Sequence, residues 1–209
     1  MGNYATIIDA LRKTHSSPTC ELDFGTPFEL LVSVILSAQC TDKRVNAITP
    51  ALFSKYNTPE AVAAMSEEQL IPYIRSCGFY NNKAKNIIQA AKDILARFDG
   101  KVPDTVQALT SLAGVGRKTA NVVYSVAFGG AAIAVDTHVF RVSRRLGIAS
   151  ASNPDRVERE LMVFFPQALW SEAHHLLIHH GRYVCKAAKP RCGECLLYKE
   201  CEYYSRLEK

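Results

Sequence analysis

The chain has no run of about 18 apolar residues, so no segment of the sequence suits a membrane-spanning helix. Its first residues, Met1-Gly2-Asn3-Tyr4-Ala5-Thr6, lack the basic-then-apolar pattern of a secretory signal. The expected compartment is therefore cytoplasmic and reducing. Internal repeats, low-complexity tracts and long linkers are also missing, which argues against repeat arrays and disordered segments. Neither sign of charge dominates: the net charge is +5, compatible with a nucleic-acid partner but not diagnostic of one. Seven cysteines in a reducing compartment are poor candidates for disulfide staples. Cys20, Cys40 and Cys77 lie near or within apolar stretches and read most simply as buried small hydrophobes. Cys185, Cys192, Cys195 and Cys201 crowd the C-terminal end instead.

What is present is helical periodicity almost throughout, so the expected class is all-α. Thr26-Pro27 reads as a cap and first residue before an apolar helix over 28–36. A second helix is expected over 42–56, with Val45, Ile48, Leu52 and Phe53 on one face. Thr58-Pro59 repeats the cap signal. Ser66-Glu67-Glu68-Gln69 is a capping box opening a helix that should end at Gly78. Further helices are expected over 84–98, from an Asp104 cap to about 111, over 117–128, over 137–146, after Asn153-Pro154, and up to about Gly181. Only 131–135 could be extended. Beyond about residue 182 the apolar periodicity stops, and such a tail needs a staple.

The tail supplies one in Cys185-x6-Cys192-x2-Cys195-x5-Cys201. Four thiolates this close can wrap one metal centre with little loop-closure entropy. Spacing alone leaves zinc and a [4Fe–4S] cluster open. Arg182, Lys186, Lys189 and Arg191 occupy a window with no acid; held by ligands at both ends, it would present fixed cations to a polyanion. A plain solvated basic loop is the other reading.

Leu112-Ala113-Gly114-Val115-Gly116-Arg117-Lys118-Thr119-Ala120 places a glycine-bracketed turn before a helix. Such a turn presents backbone N–H groups suited to a phosphate. Lys118, on the first helical turn, feels the helix dipole and Arg117, both of which favour the neutral, nucleophilic amine. An ordinary helix start with a solvated lysine is equally compatible. Asp136 joins an apolar segment to a helix, which suits an N-cap. Beside a nucleophilic amine, the same carboxylate could deprotonate it or stabilise positive charge on a sugar ring. Arg141, Arg144 and Arg145 follow as a basic face, possible either for binding or for simple solvation.

Residues 112–123 resemble the hairpin and second helix of the helix-hairpin-helix motif of the endonuclease III family. Ala134-Val135-Asp136-Thr137-His138-Val139-Phe140-Arg141-Val142 resembles its catalytic-aspartate segment, Ser37-Ala38-Gln39-Cys40-Thr41-Asp42 its lesion-facing segment, and His179-His180-Gly181-Arg182-Tyr183-Val184-Cys185 its lead-in to the iron–sulfur loop. The four-cysteine spacing is similar to that family's cluster signature. The likeness runs from about residue 20 to 203.

The resemblance implies two helical domains flanking a groove. One is a six-helix domain over 22–133 with the helix-hairpin-helix at about 105–128. The other is discontinuous, 1–21 plus 134–209, and carries a structural [4Fe–4S] cluster on Cys185, Cys192, Cys195 and Cys201. It further implies a monomeric, nucleoid-associated DNA glycosylase and abasic-site lyase acting on double-stranded DNA, with oxidised or ring-saturated pyrimidines as substrates. Lys118 would be the Schiff-base nucleophile and Asp136 its catalytic carboxylate. Gly114, Gly116 and Arg117 would hold the DNA backbone. Gln39 would fill the gap left by the extruded nucleotide, Phe79 would wedge near the orphan base, and Lys189 and Arg191 would contact DNA. Two positions depart from the family: Ala113 stands where proline is usual, and Phe79 where leucine is frequent. Adenine-specific relatives lack lysine at the nucleophile position, so Lys118 argues against that branch. Two rival readings are a non-catalytic helix-hairpin-helix DNA-binding module, which has no need of Lys118 with Asp136, and an iron–sulfur electron carrier, which has no need of the hairpin.

Overall fold

A computed structural model describes residues 3–16 and 18–207. Met1 and Gly2 of the N-terminal segment read above, Ser17, and Glu208 and Lys209 at the end of the expected second domain lie outside the described residues. Among the described residues the chain forms α1 (Tyr4–Thr14), α2 (Pro27–Ser37), α3 (Asp42–Phe53), α4 (Pro59–Ala63), α5 (Glu67–Ile74), α6 (Tyr80–Arg97), α7 (Val106–Thr110), α8 (Arg117–Phe128), α9 (Thr137–Leu146), α10 (Pro154–Phe164), α11 (Trp170–Tyr183) and α12 (Glu202–Leu207), with three 3₁₀ turns and no strand. The protein is all-α, and residues 131–135 are irregular chain.

Backbone proximity gathers these elements into two units, Glu21–Gly129 and Met1–Cys20 with Gly130–Lys209. The first is built around α2. Every residue from Phe28 to Leu36 is buried, the polar Glu29 and Ser33 among seven apolar side chains, and α3, α6 and α8 pack against it. Thr26 caps α2 by accepting from the Glu29 N–H, with Pro27 at the first position. The capping box at Ser66 and Gln69 opens α5.

In the second unit, Ile7, Ile8 and Leu11 of α1, Val139 and Val142 of α9, Leu161 of α10 and Leu176 and Leu177 of α11 share one core. α9 crosses α11 closely at Gly181, where an added Cβ would lie 2.7 Å from His138 Cβ. Arg12 donates two hydrogen bonds to the Glu172 carboxylate, at 2.6 and 2.7 Å, tying α1 to α11.

Four boundaries differ from expectation. α3 ends at Phe53 rather than residue 56, where the Lys55 N–H closes a tighter turn on the Leu52 carbonyl. α5 ends at Ile74 rather than Gly78, where the Cys77 N–H closes a tighter turn on the Ile74 carbonyl. α6 begins at Tyr80, four residues before the apolar pattern shows it. α7 is capped by Thr105, whose hydroxyl accepts from the Ala108 N–H, and not by Asp104.

Candidate functional site

In the first unit, α7 and α8 form a hairpin. Leu112 and Val115 are buried and peg the turn inward, with N–H bonds running from Leu112 to Leu109 and from Val115 to Leu112. Gly114, between the pegs, and Gly116, just after the second, are exposed. Gly114 has φ +75°, and an added Cβ would stand 2.7 Å from Asn86 Cβ, so the fold itself demands glycine there. Gly116 is different. Its φ of −84° suits any residue, and no heavy atom lies within 4 Å of an added Cβ. Gly116 is also the N-cap of α8, and no side chain caps that helix. Lys118 and Arg117 are exposed on its first turn, while Ala120 and Val123 bury the opposite face.

In the second unit, Asp136 is the N-cap of α9. Its Oδ1 accepts from the N–H groups of His138 and Val139, both at 2.8 Å. The capping reading is therefore realised, and it occupies only one carboxylate oxygen. The buried segment Ala132–Val135 fixes the chain entering the cap.

Gln39 and Phe79 are both exposed and both left-handed, at φ 52° and 59°. This is an uncommon backbone for non-glycine residues and is retained where the surroundings enforce it. Phe79 is the N-cap of α6 and is 65% exposed, unusual for a phenylalanine. The two turns are neighbours: an added Cβ at Gly78 would lie 3.6 Å from the Gln39 carbonyl oxygen. The Lys83 ammonium, buried on α6, donates to the Leu36 carbonyl at 2.8 Å and so holds the end of α2 from which the Gln39 turn departs. Cys40 and Cys77 place their Sγ atoms 3.4 Å apart.

Sequence reasoning missed Lys83 because it started α6 at Ala84. The signal was a lysine at helical spacing from Ile87, Ala91 and Ile94 on the buried stripe. Cys77 is buried as expected, whereas Cys20 and Cys40 are only half-buried.

In the C-terminal tail, Cys185, Cys192, Cys195 and Cys201 all line one pocket of about 370 Å³, including its opening to solvent, together with Val142, Leu146 and His180. Among the described residues, no three His, Cys, Asp or Glu side chains are grouped to hold a single metal ion. Burial pushes the Cys195 thiol up to about 11 and raises that of Cys201 as well.

The basic face of α9 is not simply solvated. Arg141 donates to the carbonyls of Cys185 and Gly181, at 3.0 and 2.8 Å. Arg145 donates to the carbonyls of Lys186 and Ala187 and lies 3.5 Å from Cys185 Sγ. His180 Nε2 lies 3.5 Å from Cys195 Sγ. Sequence spacing gave no sign of these braces. Lys189 is exposed with φ 53°, and Arg191 is exposed and only 3.7 Å from Glu194.

Comparison with known proteins gives consistent likenesses. Residues 32–167 match the HhH-GPD superfamily base excision DNA repair protein family. The chain is 48% identical over 202 residues to endonuclease III of Haemophilus influenzae, covering 97% of this chain and 96% of that one. It is 52% identical over 191 residues to endonuclease III of Bacillus subtilis, covering 91% and 87%. A trapped endonuclease III–DNA covalent intermediate superposes at TM-score 0.94 with 46% identity, covering 100% of both chains.

Proposed function

The chain belongs to the HhH-GPD superfamily of base excision DNA repair proteins, and from that membership we propose how its residues serve the DNA glycosylase and abasic-site lyase activity of an endonuclease III. The enzyme acts on damaged double-stranded DNA. The amides of the exposed Gly114 and Gly116, with the uncapped start of α8, receive a DNA phosphate, and Arg117, Lys189 and Arg191 add cationic contacts. Gln39 occupies the gap left when the lesion is flipped out, and Phe79 stacks beside the orphan base. Substrates are oxidised or ring-saturated pyrimidines. Its place of work is the nucleoid in the cytoplasm, where it acts as a monomer.

The Lys118 amine attacks C1′ of the flipped nucleotide as the damaged base departs. The Asp136 carboxylate, with one oxygen held by its cap, stabilises positive charge on the sugar. The C1′–O4′ bond then breaks as the nitrogen lone pair makes C=N, O4′ takes up a proton, and the opened sugar is a protonated Schiff base that acidifies the C2′ proton. Loss of that proton expels the 3′ phosphate and breaks the strand by β-elimination. Cys185, Cys192, Cys195 and Cys201 hold a [4Fe–4S] cluster. The fit rests on four thiols lining one apolar pocket, with Arg145 and His180 beside two of the sulfurs. When bound, the cluster supplies a structural cross-link, and its protein is brown where a zinc-stapled one is colourless.

The observation that carries this reading is the exposed Lys118 on a helix start that no side chain caps. Borohydride reduction during reaction with a lesion-containing duplex should fix a covalent adduct, and peptide mapping should find it on Lys118. No adduct, or one on another lysine, removes the mechanism.

The two hairpin glycines separate fold from binding. Gly114→Ala should lower Tm, since left-handed backbone costs an alanine about 1–2 kcal/mol before the contact with Asn86 is counted. Gly116→Ala should leave Tm unchanged yet weaken duplex binding roughly tenfold, or about 1.4 kcal/mol, because its methyl group enters the phosphate seat. Equal binding by Gly116→Ala and the parent protein, measured by fluorescence anisotropy, would remove the seat.

A further inference from the structure

The two turns proposed to enter DNA are joined by a pair of thiols. Cys40 directly follows Gln39, and Cys77 lies two residues before Phe79. Their sulfurs are 3.4 Å apart, although 37 positions separate them in sequence. A disulfide needs about 2.05 Å, so bond formation asks for a sulfur movement of little more than 1 Å. Cys40 is half-buried and open to a small oxidant, whereas Cys77 is 1% exposed. Burial raises the Cys77 thiol to about 11, against the weaker opposing pull of Lys83 and Arg44. Cys40 is therefore the sulfur that meets an oxidant first, and Cys77 the one that resolves it.

We infer that Cys40 and Cys77 are a reversible oxidation site, and that a disulfide between them disables DNA engagement by locking together the turns that carry Gln39 and Phe79. The oxidant is a peroxide. Its O–O bond breaks as oxygen bonds to the Cys40 sulfur, giving a sulfenic acid and one water. The Cys77 sulfur then attacks that sulfur; the S–S bond forms, the S–O bond breaks and a second water leaves. Two thiols are oxidised by two electrons and one peroxide is reduced to two waters. A small dithiol reverses the step. The consequence for function rests on the DNA roles proposed above for Gln39 and Phe79; the disulfide itself does not.

Both turns are already held in uncommon left-handed backbone, and Lys83 fixes the end of α2 behind one of them. Little slack remains to absorb the shortened sulfur distance, so the displacement passes to Gln39 and Phe79. Misplacement of about 1 Å at a reacting site can cost roughly 100-fold.

The test treats the cluster-loaded protein with a slight excess of hydrogen peroxide, blocks free thiols by alkylation and maps the peptides by mass. A Cys40–Cys77 linked peptide, lighter by two hydrogens, is expected in the parent protein and absent from Cys77→Ala and Cys40→Ser. Binding of the parent protein to a lesion duplex should fall roughly tenfold, about 1.4 kcal/mol, and return with dithiol. Cys77→Ala has the same four-cysteine tail and so controls for peroxide damage there; it should keep its binding. Absence of the linked peptide, or equal loss of binding in parent and Cys77→Ala, overturns the inference. Wild-type binding by Gln39→Ala would instead remove the proposed role of that turn, while the mass map still reads the disulfide.

Discussion

Lys118→Ala protein should bind a lesion-containing duplex, leave no borohydride-trapped adduct and cleave the strand roughly 10⁴-fold or more slowly. The separation follows from what each group supplies. The proposed phosphate seat is main chain, at Gly114, Gly116 and the first turn of α8, and removing a side chain at 118 leaves it in place. Lys118 is exposed, and alanine is the better helix former, so stability should change by no more than about 0.5 kcal/mol. Covalent chemistry has no substitute amine at that position. Binding assays, trapping gels and single-turnover cleavage read the three properties independently. A Lys118→Ala protein that still yields a full adduct would move the nucleophile elsewhere. An unreactive parent protein would return the chain to a DNA-binding module.

Asp136→Asn should fold like the parent protein and lose roughly 10²- to 10⁴-fold in base removal. Asparagine caps a helix about as well as aspartate, and its carbonyl oxygen can take over the bonds from the His138 and Val139 amides. The substitution therefore keeps the cap and removes only the negative charge. Asp136→Ala should lose both, with Tm falling as α9 loses roughly 1 kcal/mol of capping. Comparing melting curves and glycosylase rates of the two variants divides the structural role of Asp136 from its chemical one. Equal activity of Asp136→Asn and the parent protein would leave the residue as a cap alone.

Features written in neighbouring residues were legible in advance. The Thr26-Pro27 and Asn153-Pro154 caps, the Ser66 capping box and the stop at Gly147 each need only a few consecutive side chains. The hairpin was legible for the same reason. α6 was cut short because its first turn is polar and its N-cap, Phe79, offers no capping side chain. Asp136 could not be resolved by spacing, since a cap and a charged catalyst ask for the same residue. Pairings across long separations were invisible: Lys83 with the Leu36 carbonyl, Cys40 with Cys77, and Arg145 with the tail. The arginines looked like an outward basic face because nothing local shows that a chain 40 residues later supplies their acceptors.

The braces on α9 give the order of synthesis a meaning. Asp136 stands at the first end of this short helix, and Arg141 and Arg145, further along it, are anchored by carbonyls from residues 181–187. A nascent chain that has made Asp136 has not yet made the acceptors that steady the helix carrying it. On the proposed chemistry, a chain terminated before residue 181 would carry Asp136 on a helix without these anchors.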